Sequence, residues 1–267
     1  YHGAYSGKTK LKKRYNSVMA KGDLVIANSQ WIAEHVKTEH GVPFEKVVTI
    51  PRGVDLVAFD PSAVPVERVR EMRSALGLAE DSRKILLLPG RLTEWKGQLV
   101  AIEAMGLLSP EERDGLVLVL AGDAQGRRNY VERLEQAVVA HGLDHGVIMS
   151  EHITDMPAAY LASDIVLAPS VRPEAFGRVA AEASAMARPV IVSDHGGGRE
   201  TVIDGETGAR VEPGNAQSLA GAIRALLSVG ALARDGMGRA GQLHVRQHFS
   251  KRGLQAATLG VYKTLLD

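Results

Sequence analysis

The fold is decided by residues 85–91, ILLLPGR, in which four apolar residues run directly into a proline-glycine turn. A helical pattern follows this segment near 97–108. An apolar run of this length, closed by turn residues, predicts a short buried strand. The segment therefore predicts a strand-then-helix unit whose strand ends at Gly90 and Arg91.

The same unit recurs along the rest of the chain. Further strands are predicted at 116–120, 147–149, 165–168, 190–192 and 208–211, with helices near 129–141, 155–162, 177–187, 198–203, 216–228 and 231–247. Six such units in a row predict an α/β fold with a doubly wound parallel sheet. The strands are apolar throughout, which is expected when helices cover both faces of the sheet.

Residues 1–22 carry six basic residues and no acidic residue. Apolar residues fall among them at helical spacing, so the pattern predicts a basic amphipathic helix at 8–21. Such a helix could hold the protein against an anionic membrane or a phosphorylated glycolipid. A helix face that is simply solvated explains the pattern equally well, so membrane contact is a hypothesis.

The segment after the basic helix has its own short elements. Strands at 23–27 and 47–50 are predicted to flank a helix at 30–39. The pair Asn28-Ser29 stands where this helix needs a cap. Residues 56–66 contain scattered prolines and no period, which is typical of a linker.

The composition excludes several classes of function. Lysine plus arginine is 32 and aspartate plus glutamate is 31, so the net charge of +1 gives no reason to expect nucleic acid binding. Aromatic residues make up 4%, which argues against stacking of bases on a broad aromatic platform. The chain has no cysteine, which excludes disulfides and cysteine-ligated zinc and fits a reducing compartment. The histidines do not cluster and no HExxH motif occurs, so we expect no metal site.

A pair of cations marks the first candidate site. In a doubly wound sheet, ligands bind beyond the carboxyl ends of the strands. Arg91 and Lys96 lie on one loop there, just before a helix N-terminus. Two cations beside free helix amides suit a diphosphate, and two solvated surface cations are the alternative.

A pair of carboxylates marks the second candidate site. Glu174 and Glu182 follow another predicted strand, and carboxylates accept hydrogen bonds from sugar hydroxyls. Gly177 would let a ligand approach the backbone closely. The pair could instead be the two carboxylates of a hydrolase. Helix capping by Glu174 and a solvated Glu182 is a further alternative, although the helix around Glu182 is largely apolar.

Taken in order, these motifs resemble those of the group 1 (family four) retaining glycosyltransferases of the GT-B fold. The resemblance rests on Gly90-Arg91-Leu92 with Lys96-Gly97, Glu174-x7-Glu182 with Phe176-Gly177, the loop Gly196-Gly197, IPRGVD at 50–55 and Ala27-Asn28-Ser29. It implies two Rossmann-like domains that face a cleft. Residues 1–55 would be the end of the first domain and the hinge, 56–248 the domain that binds the donor, and 249–267 a helix that crosses back to the first domain.

The resemblance also implies a role for each motif residue. Arg91 and Lys96 would bind the diphosphate and stabilise the leaving nucleoside diphosphate. Glu174 would hold hydroxyls of the transferred sugar, and Glu182 would hold the ribose hydroxyls. His2 would contact the donor sugar from the first domain. The implied contacts with the nucleotide sugar are completed by Glu151, His152 and Ile153 at the edge of the base, by the backbone at Phe176 and Gly177 beside the sugar, and by Arg178.

The implied activity is transfer of a hexose from a UDP- or GDP-sugar to a saccharide or glycolipid acceptor, with retention, in the synthesis of envelope polysaccharide or lipopolysaccharide. No metal or other cofactor is expected, because Arg91 and Lys96 would supply the positive charge. The expected location is the cytoplasm, with the inner membrane face included if the basic helix binds lipid. The alternatives are a nucleotide-sugar 2-epimerase and a non-catalytic nucleotide-sugar binding fragment.

The N-terminal part departs from the family pattern. Family members usually carry a longer segment before the equivalent of His2, and that segment supplies most of the first domain. We therefore expect a truncated chain that is competent at most for donor binding. A processed natural N-terminus is the alternative.

Overall fold

The computed structural model describes residues 1–5 and 9–266, and in this part of the chain the strands form a two-stranded and a six-stranded parallel sheet. The strands are β1 (Val25–Ala27), β2 (Val47–Thr49), β3 (Lys84–Pro89), β4 (Leu116–Ala121), β5 (Val147–Ser150), β6 (Ile165–Ala168), β7 (Val190–Ser193) and β8 (Gly208–Val211). The larger sheet has the order β5-β4-β3-β6-β7-β8. The direction in which strands are added therefore reverses between β3 and β6, which is where a doubly wound sheet opens a crevice for ligands.

Helices connect the parallel strands, as the predicted units require. The α-helices are α1 (Lys10–Ser17), α2 (Gln30–His40), α3 (Val66–Ala75), α4 (Gln98–Gly106), α5 (Pro110–Asp114), α6 (Arg128–Ala140), α7 (Met156–Ala162), α8 (Arg178–Ala185), α9 (Gly198–Thr201), α10 (Ala216–Ser228), α11 (Gly230–His248) and α12 (Lys251–Leu266). The predicted doubly wound parallel sheet is confirmed, and strand bounds agree with the prediction to within two residues.

Side chains of the central strands alternate between two hydrophobic clusters. Leu86 and Leu88 of β3 lie in the cluster that includes α4, α6 and α10, whereas Ile85 and Leu87 lie in the cluster that includes α7 and α8. Successive residues of a strand point to opposite faces, so a sheet covered on both faces needs apolar residues at every position. This is the reason why the strands are apolar throughout.

The predicted linker at 56–66 is partly structured. A 3-10 turn spans Pro61–Ala63, and α3 begins at Val66, where no helix was predicted. This helix is mostly polar, and its narrow apolar stripe of Val69, Met72 and the following Leu76 is too small to stabilise the helix by itself. Tertiary contacts hold it instead: Val69 and Met72 pack on the α7 side of the sheet, and Arg68 forms a two-pronged ion pair with Asp155 at 3.0 and 2.6 Å.

The N-terminal unit has a small core of its own. Val25, Ala27, Ile32 and Val36 are buried between β1 and α2. Ser29 caps α2, as predicted, because its hydroxyl accepts a hydrogen bond from the amide of Ile32 at 3.0 Å. The basic helix is shorter than predicted: α1 begins at residue 10, and Lys8 lies outside the described residues.

The hinge segment passes against the junction of α11 and α12. The amide of Val54 donates to Phe249 O at 2.7 Å, and the amide of Lys251 donates to Val54 O at 2.8 Å. A Cβ on Gly53 would lie 2.4 Å from Lys251 Cα, so only glycine allows this approach. Within the described residues no single helix is long and apolar enough to cross a membrane; α10 and α11 pass such a test only together, across a bend of 110°.

Candidate active site

The predicted site residues gather at the carboxyl ends of the strands. Residues 90–97 follow β3, residues 170–177 follow β6 and residues 194–198 follow β7. Close packing of these loops depends on glycine. Gly97 has a φ of 81°, and a Cβ there would lie 2.1 Å from the carbonyl oxygen of Pro169. The loops after β3 and β6 can therefore touch only because Gly97 has no side chain.

One cavity opens beyond the carboxyl ends of β3 and β4 and has a volume of about 420 Å³; it is called the β3–β4 cavity. Its wall is formed by Pro89, Gly90, Arg91, Ala121, Gly122, Asp123, Gln125, His152, Ile153, Met156, Tyr160, Val179 and Glu182. Arg91, His152, Ile153 and Glu182 were predicted to share a site, and the structure brings them together. The cavity thus places a cation, a carboxylate and an apolar wall around one space, which suits a nucleotide.

Glu182 is held in this wall by its surroundings. The hydroxyl of Tyr160, which is fully buried, donates to Glu182 Oε2 at 3.1 Å. Burial raises the pKa of Glu182, and burial together with the Glu182 charge raises the pKa of Tyr160 well above its usual value. A solvated Glu182 is therefore excluded, and its carboxylate keeps acceptor capacity for hydroxyl groups in the cavity.

Lys96 and Glu174 form an ion pair beside this cavity. Lys96 Nζ lies 2.8 Å from Glu174 Oε1, and the two side chains are only 13% and 16% exposed. The hydroxyl of Ser170 donates to the same carboxylate oxygen. Helix α8 begins at Arg178 after Gly177 and has no side-chain cap, so the alternative that Glu174 caps this helix is wrong.

The stem of Lys96 packs against the backbone of the β3–β4 cavity. A Cβ on Gly90 would lie 3.5 Å from Lys96 Cδ, and Lys96 Nζ lies 4.6 Å from the centre of the Trp95 ring. Lys96 is therefore not a solvated surface cation. Arg91 lines the β3–β4 cavity but is exposed, as a solvated cation would also be, so its contact with a diphosphate stays a prediction.

The glycine loop after β7, residues 196–198, packs against the backbone of Glu174. The amide of Gly197 donates to Glu174 O at 2.7 Å, and a Cβ on Gly197 would lie 2.5 Å from Ala175 O. His195 Nε2 lies 2.8 Å from Ser170 O. The His195 contact could not be predicted from the sequence, because it joins two loops that are distant along the chain.

Some predicted residues lie apart from the β3–β4 cavity. Glu151 lines a neighbouring cavity of about 670 Å³ together with His152. The Phe176 ring is buried and packs edge-to-face on Phe249, with centroids 5.7 Å apart, so only its backbone can face a ligand. Gly177 has a φ of 84°, and a Cβ there would lie 2.6 Å from Gly198 Cα; its small size serves loop packing.

Two further predicted residues are exposed. Arg178 is the first residue of α8, and its charge acts on Glu182 from outside the cavity. His2 Nε2 lies 2.7 Å from the hydroxyl of Tyr5. In the described part of the chain, no hydrogen bond joins His2 to Lys96 or Glu174. The role expected of His2 stays a prediction.

A second cavity, called the arginine cavity, borders the Lys96 loop at Trp95 and has a volume of about 620 Å³. It is lined by Thr93, Glu94, Trp95, Gly126, Arg127, Arg128, Asn129, Tyr130, Arg133 and Arg172. Arg133 pairs with Glu94, which leaves an excess of positive charge in the wall. The amide of Val171 donates to Trp95 O at 2.8 Å and so brings Arg172 to this cavity. Sequence reasoning missed the cavity, although the adjacent Arg127 and Arg128 were a signal.

No group of three or more histidine, aspartate or glutamate side chains is placed to hold a metal ion within residues 1–5 and 9–266. The expectation that the reaction needs no metal stays a prediction.

Comparison with known proteins gives consistent matches. Residues 69–243 match the family described as glycosyl transferases group 1, and residues 1–57 match the one described as glycosyltransferase family 4. The D-inositol 3-phosphate glycosyltransferase of Xylanimonas cellulosilytica is 33% identical over 214 residues, which are 79% of this chain and 50% of that protein. The chain spans about half the length of the curated relatives it matches.

Two solved structures have the same fold. A glycosyltransferase from Rickettsia africae is 30% identical with a TM-score of 0.90, over 100% of this chain and 70% of that one. Anabaena HepE, solved in complex with UDP-glucose, is 27% identical with a TM-score of 0.85, over 96% of this chain and 68% of that one. These similarities confirm the predicted GT-B type of Rossmann-like sheet.

Proposed function

The chain belongs to the group 1 glycosyl transferases, and on this basis we propose that it binds a nucleotide-diphosphate sugar and serves the transfer of its hexose, with retention, to a saccharide or glycolipid acceptor. The proposal rests on the residues that lie together at the carboxyl ends of β3, β4 and β6. The β3–β4 cavity offers Arg91 and Glu182 to one ligand, and the pair of Lys96 and Glu174 lies directly beside it.

The β3–β4 cavity would hold the nucleoside diphosphate. Glu182 would accept hydrogen bonds from the two ribose hydroxyls, with the apolar edge at His152 and Ile153 against the base. Arg91 would grip the diphosphate with its planar guanidinium. The complexes of Anabaena HepE with UDP and with UDP-glucose support a uridine nucleotide as the first donor to test.

The sugar would lie against Glu174. In the structure the ammonium of Lys96 balances the charge of the Glu174 carboxylate, and this contact fixes the position of both side chains. An incoming diphosphate would compete for the ammonium of Lys96, and this would free the carboxylate of Glu174 to accept sugar hydroxyls. The backbone at Phe176 and Gly177 would complete the sugar site. The same pair thus connects binding of the phosphate to binding of the sugar.

The transfer step needs charge stabilisation at the leaving group. The bond between the sugar carbon and the phosphate oxygen breaks, and its electron pair passes to the diphosphate. Arg91, Lys96 and the nearby helix amides would stabilise that negative charge in a fixed geometry. The acceptor oxygen would attack the same face of the sugar, and its proton would pass to the leaving phosphate. This route retains the configuration and needs no separate base.

The arginine cavity supports an acceptor that carries an anionic group. It borders the Lys96 loop and shares no lining residue with the β3–β4 cavity, and arginine recognises phosphate and carboxylate groups in two-pronged geometry. Several curated relatives are named for an inositol phosphate acceptor, which agrees with this chemistry. We propose a phosphorylated saccharide or glycolipid, and the role in envelope polysaccharide or lipopolysaccharide synthesis follows from the family resemblance.

Helix α1 supports peripheral membrane contact. Leu11 and Tyr15 are 83% and 78% exposed, and Lys12 and Arg14 lie exposed among them. Exposed apolar groups next to cations are the arrangement that binds anionic lipid surfaces. Co-sedimentation with vesicles of anionic lipid tests this: neutralising Lys12, Lys13 and Arg14 should abolish it, and unchanged co-sedimentation would exclude the contact.

Calorimetry with UDP, GDP and ADP tests the donor site. We expect one nucleotide to bind, and Arg91→Ala to weaken it by roughly ten- to a hundredfold, since hydrogen bonds between charged groups are lost. Arg239→Ala is the matched control, because Arg239 is an exposed arginine on α11, far along the chain from the rim. Equal affinity in Arg91→Ala and wild type would remove the assignment.

The two alternatives give different results. A nucleotide-sugar 2-epimerase would interconvert the free nucleotide sugar without an acceptor, which a chromatographic assay of UDP-sugars detects. A non-catalytic fragment would bind the nucleotide sugar without hydrolysis or transfer. Donor hydrolysis or transfer by the chain would exclude the second alternative.

A further inference from the structure

Glu200 belongs to the connection after β7, but its carboxylate contacts the N-terminal unit. Its Oε2 accepts the amide of Gln30 at 2.9 Å, and its Oε1 accepts the amide of Trp31 at 2.8 Å. These are the first two amides of α2, and Ser29 takes the third. The open amides of this helix are thus satisfied by a carboxylate that is 170 residues away in the chain.

The loop that carries Glu200 also holds the backbone of Glu174. The amide of Gly197, three positions before Glu200, donates to Glu174 O at 2.7 Å. A Cβ on Gly196 would lie 2.6 Å from the same oxygen, so the loop lies directly against this residue. A shift of the loop must therefore move the backbone of Glu174 or break its hydrogen bond.

A second contact links the N-terminal unit to the same place. Ala175, the neighbour of Glu174, packs against the cluster formed by Val25, Ala27 and Ile32. The N-terminal unit thus contacts Ala175, which is next to Glu174, and it also contacts Glu200, whose loop is hydrogen-bonded to the backbone of Glu174. Both contacts depend on how α2 is seated.

We propose that Glu200 is a positioning residue that makes the orientation of Glu174 depend on the seating of α2. This inference rests on the proposed function, in which Glu174 holds the donor sugar. A carboxylate that accepts two backbone amides at a helix N-terminus is favoured by charge and by geometry. When the N-terminal unit moves away from the rest of the chain, Glu200 loses both hydrogen bonds and its loop relaxes. The backbone of Glu174 is then no longer fixed in the orientation that binds the sugar.

The coupling predicts a specific effect on ligand binding. Within the described residues no hydrogen bond joins Arg91 or Glu182, which would bind the nucleotide, to the Glu200 loop, so affinity for UDP should not depend on Glu200. Affinity for the sugar part of UDP-glucose should depend on it. A purely structural role would instead lower both affinities together or change only the melting temperature.

Glu200→Gln tests the proposal in the full chain. The substitution keeps the size of the side chain but replaces one carboxylate oxygen by an NH₂ group. This group cannot accept a hydrogen bond from the backbone N–H that it faces. By calorimetry we expect the affinity for UDP-glucose to fall roughly five- to tenfold while the affinity for UDP stays unchanged. Glu206→Gln is the matched control, because Glu206 is an exposed carboxylate on the same connection between β7 and β8.

Hydrogen exchange gives a readout that is independent of the nucleotide sugar. The amides of Gln30 and Trp31 should exchange roughly tenfold faster in Glu200→Gln, since one or both lose their acceptor. If wild type binds UDP-glucose and the variant keeps the wild-type ratio of the two affinities, the positioning role is wrong while the proposed function stands. If wild type binds no nucleotide or nucleotide sugar, the proposed function fails, and the positioning role fails with it.

Discussion

The pair of Lys96 and Glu174 allows a test of the site geometry that needs no ligand. Both side chains are largely buried, and Lys96→Met would leave the carboxylate with the Ser170 hydroxyl as its remaining partner. Breaking a buried ion pair by removing one partner costs about 3–5 kcal/mol. The remaining hydrogen bond offsets about 1 kcal/mol, so we expect a loss of about 2–4 kcal/mol.

Urea and thermal unfolding, followed by circular dichroism, measure this loss. For a chain of this size it corresponds to a fall in melting temperature on the order of 10 °C. Glu174→Gln should also destabilise, because it leaves the ammonium of Lys96 without its counter-charge. The double variant should regain much of the loss, since no buried charge is then left alone. We expect a coupling of about 1–3 kcal/mol.

A more exposed ion pair provides the control. Lys84 and Asp164 lie 3.2 Å apart, with side chains 47% and 25% exposed, and Lys84→Met should cost less than about 1 kcal/mol. Additive effects of Lys96→Met and Glu174→Gln, within about 0.5 kcal/mol, would refute the buried pair. Phosphate binding and sugar binding could then not be connected through this pair.

Three further predictions concern the cavities and the loop contacts. Glu182→Gln should weaken UDP binding roughly tenfold or more, as measured by calorimetry. It should also stabilise the fold at neutral pH: burial raises the pKa of Glu182 above its usual 4.5, so the folded state loses stability as pH rises through that raised value, and glutamine never ionises. Unfolding curves at several pH values check this, and equal stability of wild type and variant near neutral pH would contradict it. Gly97→Ala should lower the free energy of unfolding by about 2–3 kcal/mol or more, because its Cβ would clash with Pro169 O. In the same unfolding assay Gly126→Ala should lower it less, because a Cβ there has no neighbour within 4 Å. Arg172→Ala should lower the affinity for a phosphorylated acceptor severalfold but leave UDP binding unchanged, and a loss of UDP binding would show that the arginine cavity is not separate.

Much of the fold could be predicted because its causes are local. An apolar run such as 116–120 is typical of a strand that is covered on both faces, and turn residues mark where each strand ends. Helix α3 escaped prediction because its apolar stripe is only Val69, Met72 and Leu76 among charged residues. The packing of that stripe on the α7 side, and the pair of Arg68 with the distant Asp155, hold the helix in place.

The site was predictable to the extent that motifs mark strand ends. Arg91, His152, Ile153 and Glu182 share a cavity because the carboxyl ends of parallel strands meet at one edge. The sequence could not show that Phe176 turns its ring into the core, since its neighbour Phe249 comes from the last part of the chain.

The sequence by itself determined the order of strands and helices and the chemical types of the residues at the rim. Only the tertiary structure decided which of them touch: that Lys96 pairs with Glu174, that an arginine cavity opens beside them, and that Glu200 reaches across to α2. The physical reason is that backbone preferences act over a few neighbouring residues, whereas a contact between side chains far apart in sequence exists only after the packing of whole elements has brought them together.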